Sequence, residues 1–190
     1  ICFYQSNKEF LDVINKFYGN IFNQISKPAS NENQRTHFTI KINGILALPV
    51  LKDLKESSIT KYPQICKAIE YVSLIGKKGL GEKRKEIQLS IQHMNRNKDD
   101  YIDQRPYKTI DTRYIAGLFD GDGCVGIYDK GMCCHITQKN VQKLLETIHS
   151  LYPQASLAPA RLRFYNIEVM KKFLKDIQPF LVYKSDQVEK

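Results

Sequence analysis

At 190 residues with 42% hydrophobic side chains, the chain can bury one large core or two small ones without covalent staples. Its 29 Lys and Arg against 20 Asp and Glu give a formal charge of +9, which favours a polyanionic partner such as nucleic acid. Five cysteines, odd in number and without a C-x-x-C pair, exclude a disulfide framework and point to reduced thiols; no apolar run approaches the roughly 18 to 20 residues of a membrane span, so no membrane partner is expected.

In chain order, Ile1 to Tyr4 reads as a strand that the chain enters at its first residue, so further sequence is expected ahead of it. Residues 9 to 22 place Phe10, Leu11, Ile14, Phe17, Tyr18 and Phe22 at helical spacing, and the Asn-rich stretch from Ser26 to Gln34, with Pro28, reads as a surface loop. Thr36 to Asn43 alternates, which predicts a half-buried strand with Arg35, His37, Thr39 and Lys41 on its polar face. Helices are expected around Leu46 to Leu54 and Tyr62 to Leu74. Residues 76 to 110 are highly charged and read as a linker, helical from Glu82 to Met94 with Ile87, Ile91 and Met94 inward.

Beyond residue 110 the pattern predicts a helix over Thr112 to Asp120, a strand Cys124 to Tyr128, a turn at Asp129-Lys130-Gly131, a strand Met132 to Ile136 and a helix Val141 to Leu151. A second hairpin, Ala155 to Leu157 with Arg161 to Tyr165, precedes a helix over Glu168 to Ile177 and the start of another near the end. The partition is therefore 1–75, 76–110 and 111–190.

Tyr114 to Val125 is the most informative stretch. Ala116, Gly117 and Gly121 carry almost no side chain, and Gly117 and Gly121 lie one helical turn apart, which lets a second helix approach closely. Asp120 and Asp122 fall at the helix C-terminus, where the macrodipole disfavours negative charge, so they call for a cation. Two residues apart on a helix they diverge by about 200°, and Asp120 is expected to bond structurally at the helix end.

The halves repeat one order of parts, strand, helix, hairpin, helix, short break, helix. Ile14-Asn-Lys-Phe-Tyr-Gly is echoed by Ile148-His-Ser-Leu-Tyr-Pro, Asn43 by Asn166, Leu51-Lys-Asp-Leu by Leu174-Lys-Asp-Ile, and Gln5 by Gln138. The first half has no copy of Tyr114 to Val125.

Ile115-Ala-Gly-Leu-Phe-Asp-Gly-Asp-Gly123 resembles the signature of the LAGLIDADG homing endonucleases, and the hairpin, Thr137-Gln138-Lys139 and Gln178-Pro-Phe-Leu-Val-Tyr-Lys184 follow in that family's order. The resemblance implies an α+β fold of two pseudo-symmetric αββαββα-type repeats forming a DNA-binding β-saddle with helices on its convex side. It implies a site-specific endonuclease that uses Mg²⁺ or Mn²⁺ to hydrolyse phosphodiester bonds in a long double-stranded DNA target. Asp122 would ligate the metal with the Gly121 carbonyl as second ligand, Gln138 would position water, and Lys184 would stand near the scissile phosphate; Gln5 and Lys67 are the corresponding residues of the first half. One carboxylate per site suffices where water and phosphate oxygens complete a hard cation's shell.

The resemblance also implies that strand faces read DNA, here through Arg161, Arg163, Tyr128 and His135 and through Arg35, His37, Thr39 and Lys41. A solvated polar strand face accounts for the same alternation without DNA. A binding-only protein or an intron RNA maturase of the same fold is the alternative, since only one motif copy is present. A functional monomer is expected if a first motif helix precedes Ile1, and a partner chain is needed otherwise. The Lys, Asn and Ile bias fits an AT-rich genome, which makes an intracellular, mitochondrial or chloroplast location the expectation.

Overall fold

Hydrophobic alternation at period two in short segments, between segments of period near 3.6, gives an α+β chain of two antiparallel sheets with helices packed on them. The computed structural model describes residues 1–5, 7–27, 36–101, 110–128 and 131–189. The chain divides into two compact units, residues 1–56 with 65–90 and residues 57–64 with 91–190.

In the first unit, β1 (Cys2–Gln5), β2 (Asn23–Lys27) and β3 (His37–Lys41) form a sheet of order β1-β3-β2, and α1 (Lys8–Phe17) and α2 (Ala47–Ser57) supply its cover. The Asn7 side chain accepts from the Phe10 amide at 2.9 Å and starts α1. The sequence predicts that this helix continues to Phe22; it stops at Phe17, because Gly19 and Asn20 take positive φ and the Asn15 side chain accepts the Phe22 amide at 3.0 Å. The chain then enters β2, which the pattern did not signal: Asn23 to Ser26 are all exposed, so no alternation marks this edge strand. Leu11, Phe22, Ile40, Ile42, Ala47, Val50, Leu51 and Val72 make the core. Helix α3 (Tyr62–Ser73) follows, and the charged segment 76–110 contains α4 (Gly81–Arg96) with Ile87 and Met94 buried.

In the second unit, α5 (Thr112–Asp122), β4 (Gly123–Tyr128), β5 (Gly131–Thr137), α6 (Gln142–Leu151), β6 (Ser156–Ala158), β7 (Arg161–Phe164), α7 (Ile167–Ile177) and α8 (Ser185–Glu189) give a sheet of order β4-β5-β7-β6. The turn expected at Asp129 and Lys130 lies outside the described residues. Helix ends are capped by side chains: Asp111 accepts from the Tyr114 amide, Asn166 from Glu168 and Val169, and Asp99 from Gln142 and Lys143. Phe164 stacks on Phe173 at 4.1 Å, and Phe119 meets Phe173 edge-on at 5.5 Å, at the centre of a core that also takes in Ile59.

The internal repeat is topological as well as sequential. Strand order β1-β3-β2 matches β5-β7-β6, with α1 and α2 in the places of α6 and α7. The Tyr18 hydroxyl donates to Asp53 at 2.5 Å, and its echo Tyr152 donates to Asp176 at 3.0 Å; burial and the carboxylate together raise both phenol pKa values. Nothing among the described residues of the first unit matches α5 and β4. No described helix is long and apolar enough to cross a membrane.

Truncating the aromatic centre is expected to be costly: Phe173→Ala should destabilise the second unit by about 3 to 5 kcal/mol. A denaturant titration followed by near-UV circular dichroism checks this as an earlier loss of aromatic signal.

Candidate catalytic centre and nucleic-acid interface

The C-terminal turn of α5 would be an adverse place for two carboxylates unless each had a partner. Asp120, only 4% exposed, accepts three main-chain N–H groups, from Val182 at 2.7 Å, Tyr183 at 3.2 Å and Lys184 at 2.8 Å. It is structural, as its angular separation from Asp122 predicts. Lys184, 8% exposed, returns the contact: its ammonium donates to the carbonyls of Phe119 at 2.7 Å, Asp120 at 2.8 Å and Gly123 at 2.8 Å. Burial lowers the Lys184 pKa, while Asp120, Asp122 and Cys124 pull it up. The three bonds match the three donors of an ammonium, so in this structure Lys184 caps a helix instead of presenting its charge outward.

Gly123 is fixed by space rather than by backbone conformation. A Cβ there would stand 2.5 Å from the Phe119 carbonyl oxygen and collide with the buried Phe119 ring. Sequence reading passed over this glycine as part of a motif; its signal was the need for a strand to leave a helix beside a large aromatic residue.

Asp122 is exposed, and Gln138, at the end of β5, donates its side-chain amide to the Asp122 carboxylate. The Gln138 main-chain N–H bonds to Ala160 at 2.8 Å, which anchors this side chain from the sheet. Asp122, Gly121 and Gln138 thus meet at one exposed corner above the Lys184 cap. Gly117 and Gly121 are both exposed, and an added Cβ on either meets nothing within 4 Å. Ala116 differs from the expectation that it joins them. It is fully buried in the unit's own core, because it lies on the face shared by Ile115 and Phe119.

Gln5 ends β1, and the register Gln5↔Phe38, Tyr4↔Thr39 parallels the step from Thr137↔Arg161 into Gln138, so Gln5 occupies the position that corresponds to Gln138. Lys67 does not correspond to Lys184. It lies inside α3 and pairs with Glu70 at 2.9 Å, whereas the residue that immediately precedes α3, as Lys184 precedes α8, is Lys61. Lys61 donates to Asn95 at 3.0 Å, and burial, with Lys98 nearby, lowers its pKa. Constant spacing from the Leu-Lys-Asp echo carries this signal in the sequence.

On the second sheet, residues that face each other across the strands share a face. Cys124 opposes His135, His135 opposes Arg163, Thr137 opposes Arg161, and Leu162 and Phe164 point to the core. The open face therefore carries Arg161, Arg163, His135 and Thr137 together. Arg161 Nε donates to Thr137 Oγ1 at 3.2 Å and Arg163 Nη1 to the Tyr165 hydroxyl at 3.0 Å. The sequence assigns no binding role to Tyr165 or Thr137, because a tyrosine and a threonine near strand ends carry no pattern that marks one. Partial burial, then the two arginines, lowers the His135 pKa, and burial raises that of Cys133. Tyr128 ends β4, with its side chain outside the description. On the first sheet the polar face holds His37, Thr39 and Lys41, with Tyr4 stacked on His37 at 4.9 Å; Arg35 lies outside the described residues. All five cysteines are free, and no group of three His, Cys, Asp or Glu that could hold a metal occurs among the described residues.

The fold is that of the LAGLIDADG homing endonucleases. Among solved structures, the LAGLIDADG homing endonuclease I-GzeII in complex with its DNA target matches with a TM-score of 0.65 at 11% identity, over 100% of this chain and 76% of that one. No protein-family model and no curated protein matches the sequence.

Two outcomes are expected. Gly123→Ala should lower the melting temperature by destabilising the unit about 1 to 3 kcal/mol, whereas Gly121→Ala, on an open helix face, should leave stability unchanged or raise it by about 0.5 to 1 kcal/mol. The folded pKa of His135 lies below its ordinary 6.5, so the unfolded chain binds the proton more readily and stability falls as pH drops through that region. Thermal unfolding across about pH 5 to 8 should show this loss, and His135→Gln should reduce it.

Proposed function

We propose that the chain is a DNA-binding endonuclease that hydrolyses phosphodiester bonds with a divalent cation. The observation that carries this reading is the pairing of Asp122 with Gln138 at an exposed corner of the unit whose open sheet face carries Arg161 and Arg163.

The donor set fits a hard cation. Asp122 offers an exposed carboxylate and Gly121 a main-chain carbonyl, both oxygen, while no cluster of three His, Cys, Asp or Glu suited to a closed metal site occurs among the described residues. Mg²⁺ or Mn²⁺ held there would lower the pKa of a bound water and offset charge on the phosphate oxygens. Gln138 holds the Asp122 carboxylate by its amide N–H, which leaves its carbonyl oxygen to orient water. In hydrolysis, water adds to phosphorus and loses a proton to solvent, while the bond from phosphorus to the departing deoxyribose oxygen breaks and that oxygen takes a proton from solvent to leave as a hydroxyl. Lys184 and Asp120 act as positioning residues that hold the α5 terminus still. Cleavage of both strands needs a second acid, and the bare Gly117 and Gly121 face suits the close approach of a second helix that would bring one.

The test is cleavage of duplex DNA libraries with Mg²⁺ by the chain and by Asp122→Asn, with binding to duplex DNA and to structured RNA measured in parallel. Asp122→Asn should keep DNA binding and lose at least about a hundredfold in cleavage. Equal cleavage by both proteins sinks the role given to Asp122. Binding to RNA but not to duplex DNA sinks the endonuclease reading in favour of the maturase one.

A further inference from the structure

We propose that Thr137 and Tyr165 aim Arg161 and Arg163 as a pair of guanine readers, so that the target contains two G·C pairs separated by one base pair. This rests on the DNA-binding reading above and adds a sequence preference to it.

Four observations converge. First, Arg161 and Arg163 alternate on β7 with the fully buried Leu162 and Phe164, so both side chains leave the sheet on its open face. Second, each guanidinium is tied by a different atom to a neutral hydroxyl. Arg161 is held at Nε by Thr137, which leaves its two terminal nitrogens, and Arg163 is held at Nη1 by Tyr165, which leaves the side formed by Nε and Nη2. Each arginine keeps a two-donor fork, the geometry that matches O6 and N7 of guanine in the major groove. Third, neither guanidinium takes part in an ion pair with a carboxylate among the described residues, and the His135 imidazole opposite Arg163 is biased toward neutrality. The face thus presents two unneutralised donors side by side. Fourth, residues two apart on a strand are about 6.6 to 6.8 Å apart, which is about two steps of 3.4 Å along a duplex strand.

The fixed orientation favours bases over phosphates. A phosphate contact needs charge and reach, and it gains little from a hydroxyl that locks the plane of the guanidinium. Among its described residues the first unit lacks the device. By sheet register Thr39 and Lys41 stand where Arg161 and Arg163 do, and Ile42 runs directly into Asn43, whereas Tyr165 is interposed between Phe164 and Asn166. The paired guanine preference therefore belongs to one half of the target.

The experiment is selection of bound duplexes from a randomised library by the full chain without divalent metal, repeated with Arg163→Gln, Tyr165→Phe and Thr137→Val after each variant is checked by thermal melting. The unsubstituted chain should enrich two G·C pairs one base pair apart, each favoured about 5- to 150-fold over other pairs. Arg163→Gln should change one of the two positions from guanine to adenine, since Gln pairs with adenine N6 and N7, and leave the other. Tyr165→Phe should weaken the preference at the position that Arg163→Gln changes, and Thr137→Val at the other, each with the salt dependence of binding unchanged. If the chain selects no duplex above background, the DNA-binding reading itself fails. If it selects a sequence without paired G·C, or if Arg163→Gln weakens all sequences alike and lowers the salt slope by about one, the arginines contact phosphate and the guanine inference is overturned while DNA binding stands. Where Arg163→Gln does not fold, the Tyr165→Phe and Thr137→Val selections decide between the same outcomes.

Discussion

The reciprocal clamp between Asp120 and Lys184 is the constraint on which the candidate centre depends. A helix C-terminus exposes unpaired carbonyls and a negative partial charge, and this one carries two carboxylates besides. The segment Val182 to Lys184 resolves the conflict from both sides: its amides take the Asp120 charge, and its ammonium takes the carbonyls of Phe119, Asp120 and Gly123. Because Asp120 absorbs the structural bonding, Asp122 is left with an exposed carboxylate whose recorded partner is a neutral amide. The exposed acid can stay available only because the buried one is satisfied.

From that clamp the rest of the second unit follows. Ile115, Ala116 and Phe119 hold α5 against Phe173 and the sheet, and Gly123 lets the chain turn from helix to strand in the space that Phe119 leaves. The same turn starts β4, whose pairing with β5 sets Gln138 beside Asp122. One side of α5 is thus committed to the core, while Gly117 and Gly121 on the other meet nothing that would resist another backbone. The small residues divide by function according to the helical angle between them, which is why Ala116 belongs with the core despite its neighbours in sequence.

Much of this was legible because it depends on local spacing. The repeat, the amphipathic helices, the alternating strand β7 and the divergence of Asp120 from Asp122 are periodicity statements, and the helices and strands lie close to where the pattern places them. Features that depend on partners distant in sequence were hidden. The α1 terminus is set by left-handed Gly19 and Asn20 and by the Asn15 to Phe22 bond, and β2 exists because β3 offers an edge to pair with, not because Asn-Gln-Ile-Ser-Lys has a buried face. The cap made by Lys184 joins residues more than sixty positions apart, where the resemblance implies a place near the scissile phosphate. Lys61, not Lys67, keeps the constant interval from the Leu-Lys-Asp echo that the repeat itself supplies.

The two sheets also show what a shared scaffold leaves free. Strand order, the Tyr to Asp hydrogen bonds that tie α1 to α2 and α6 to α7, and the placement of Gln5 and Gln138 at the end of a paired strand are common to both units. The open faces are not common. One carries Tyr4 stacked on His37 with Ile25 exposed beside Thr39; the other carries two arginines on one strand with hydroxyls holding them. The first exposes apolar area, and the second sets like charges two residues apart with no carboxylate ion-paired to them among the described residues.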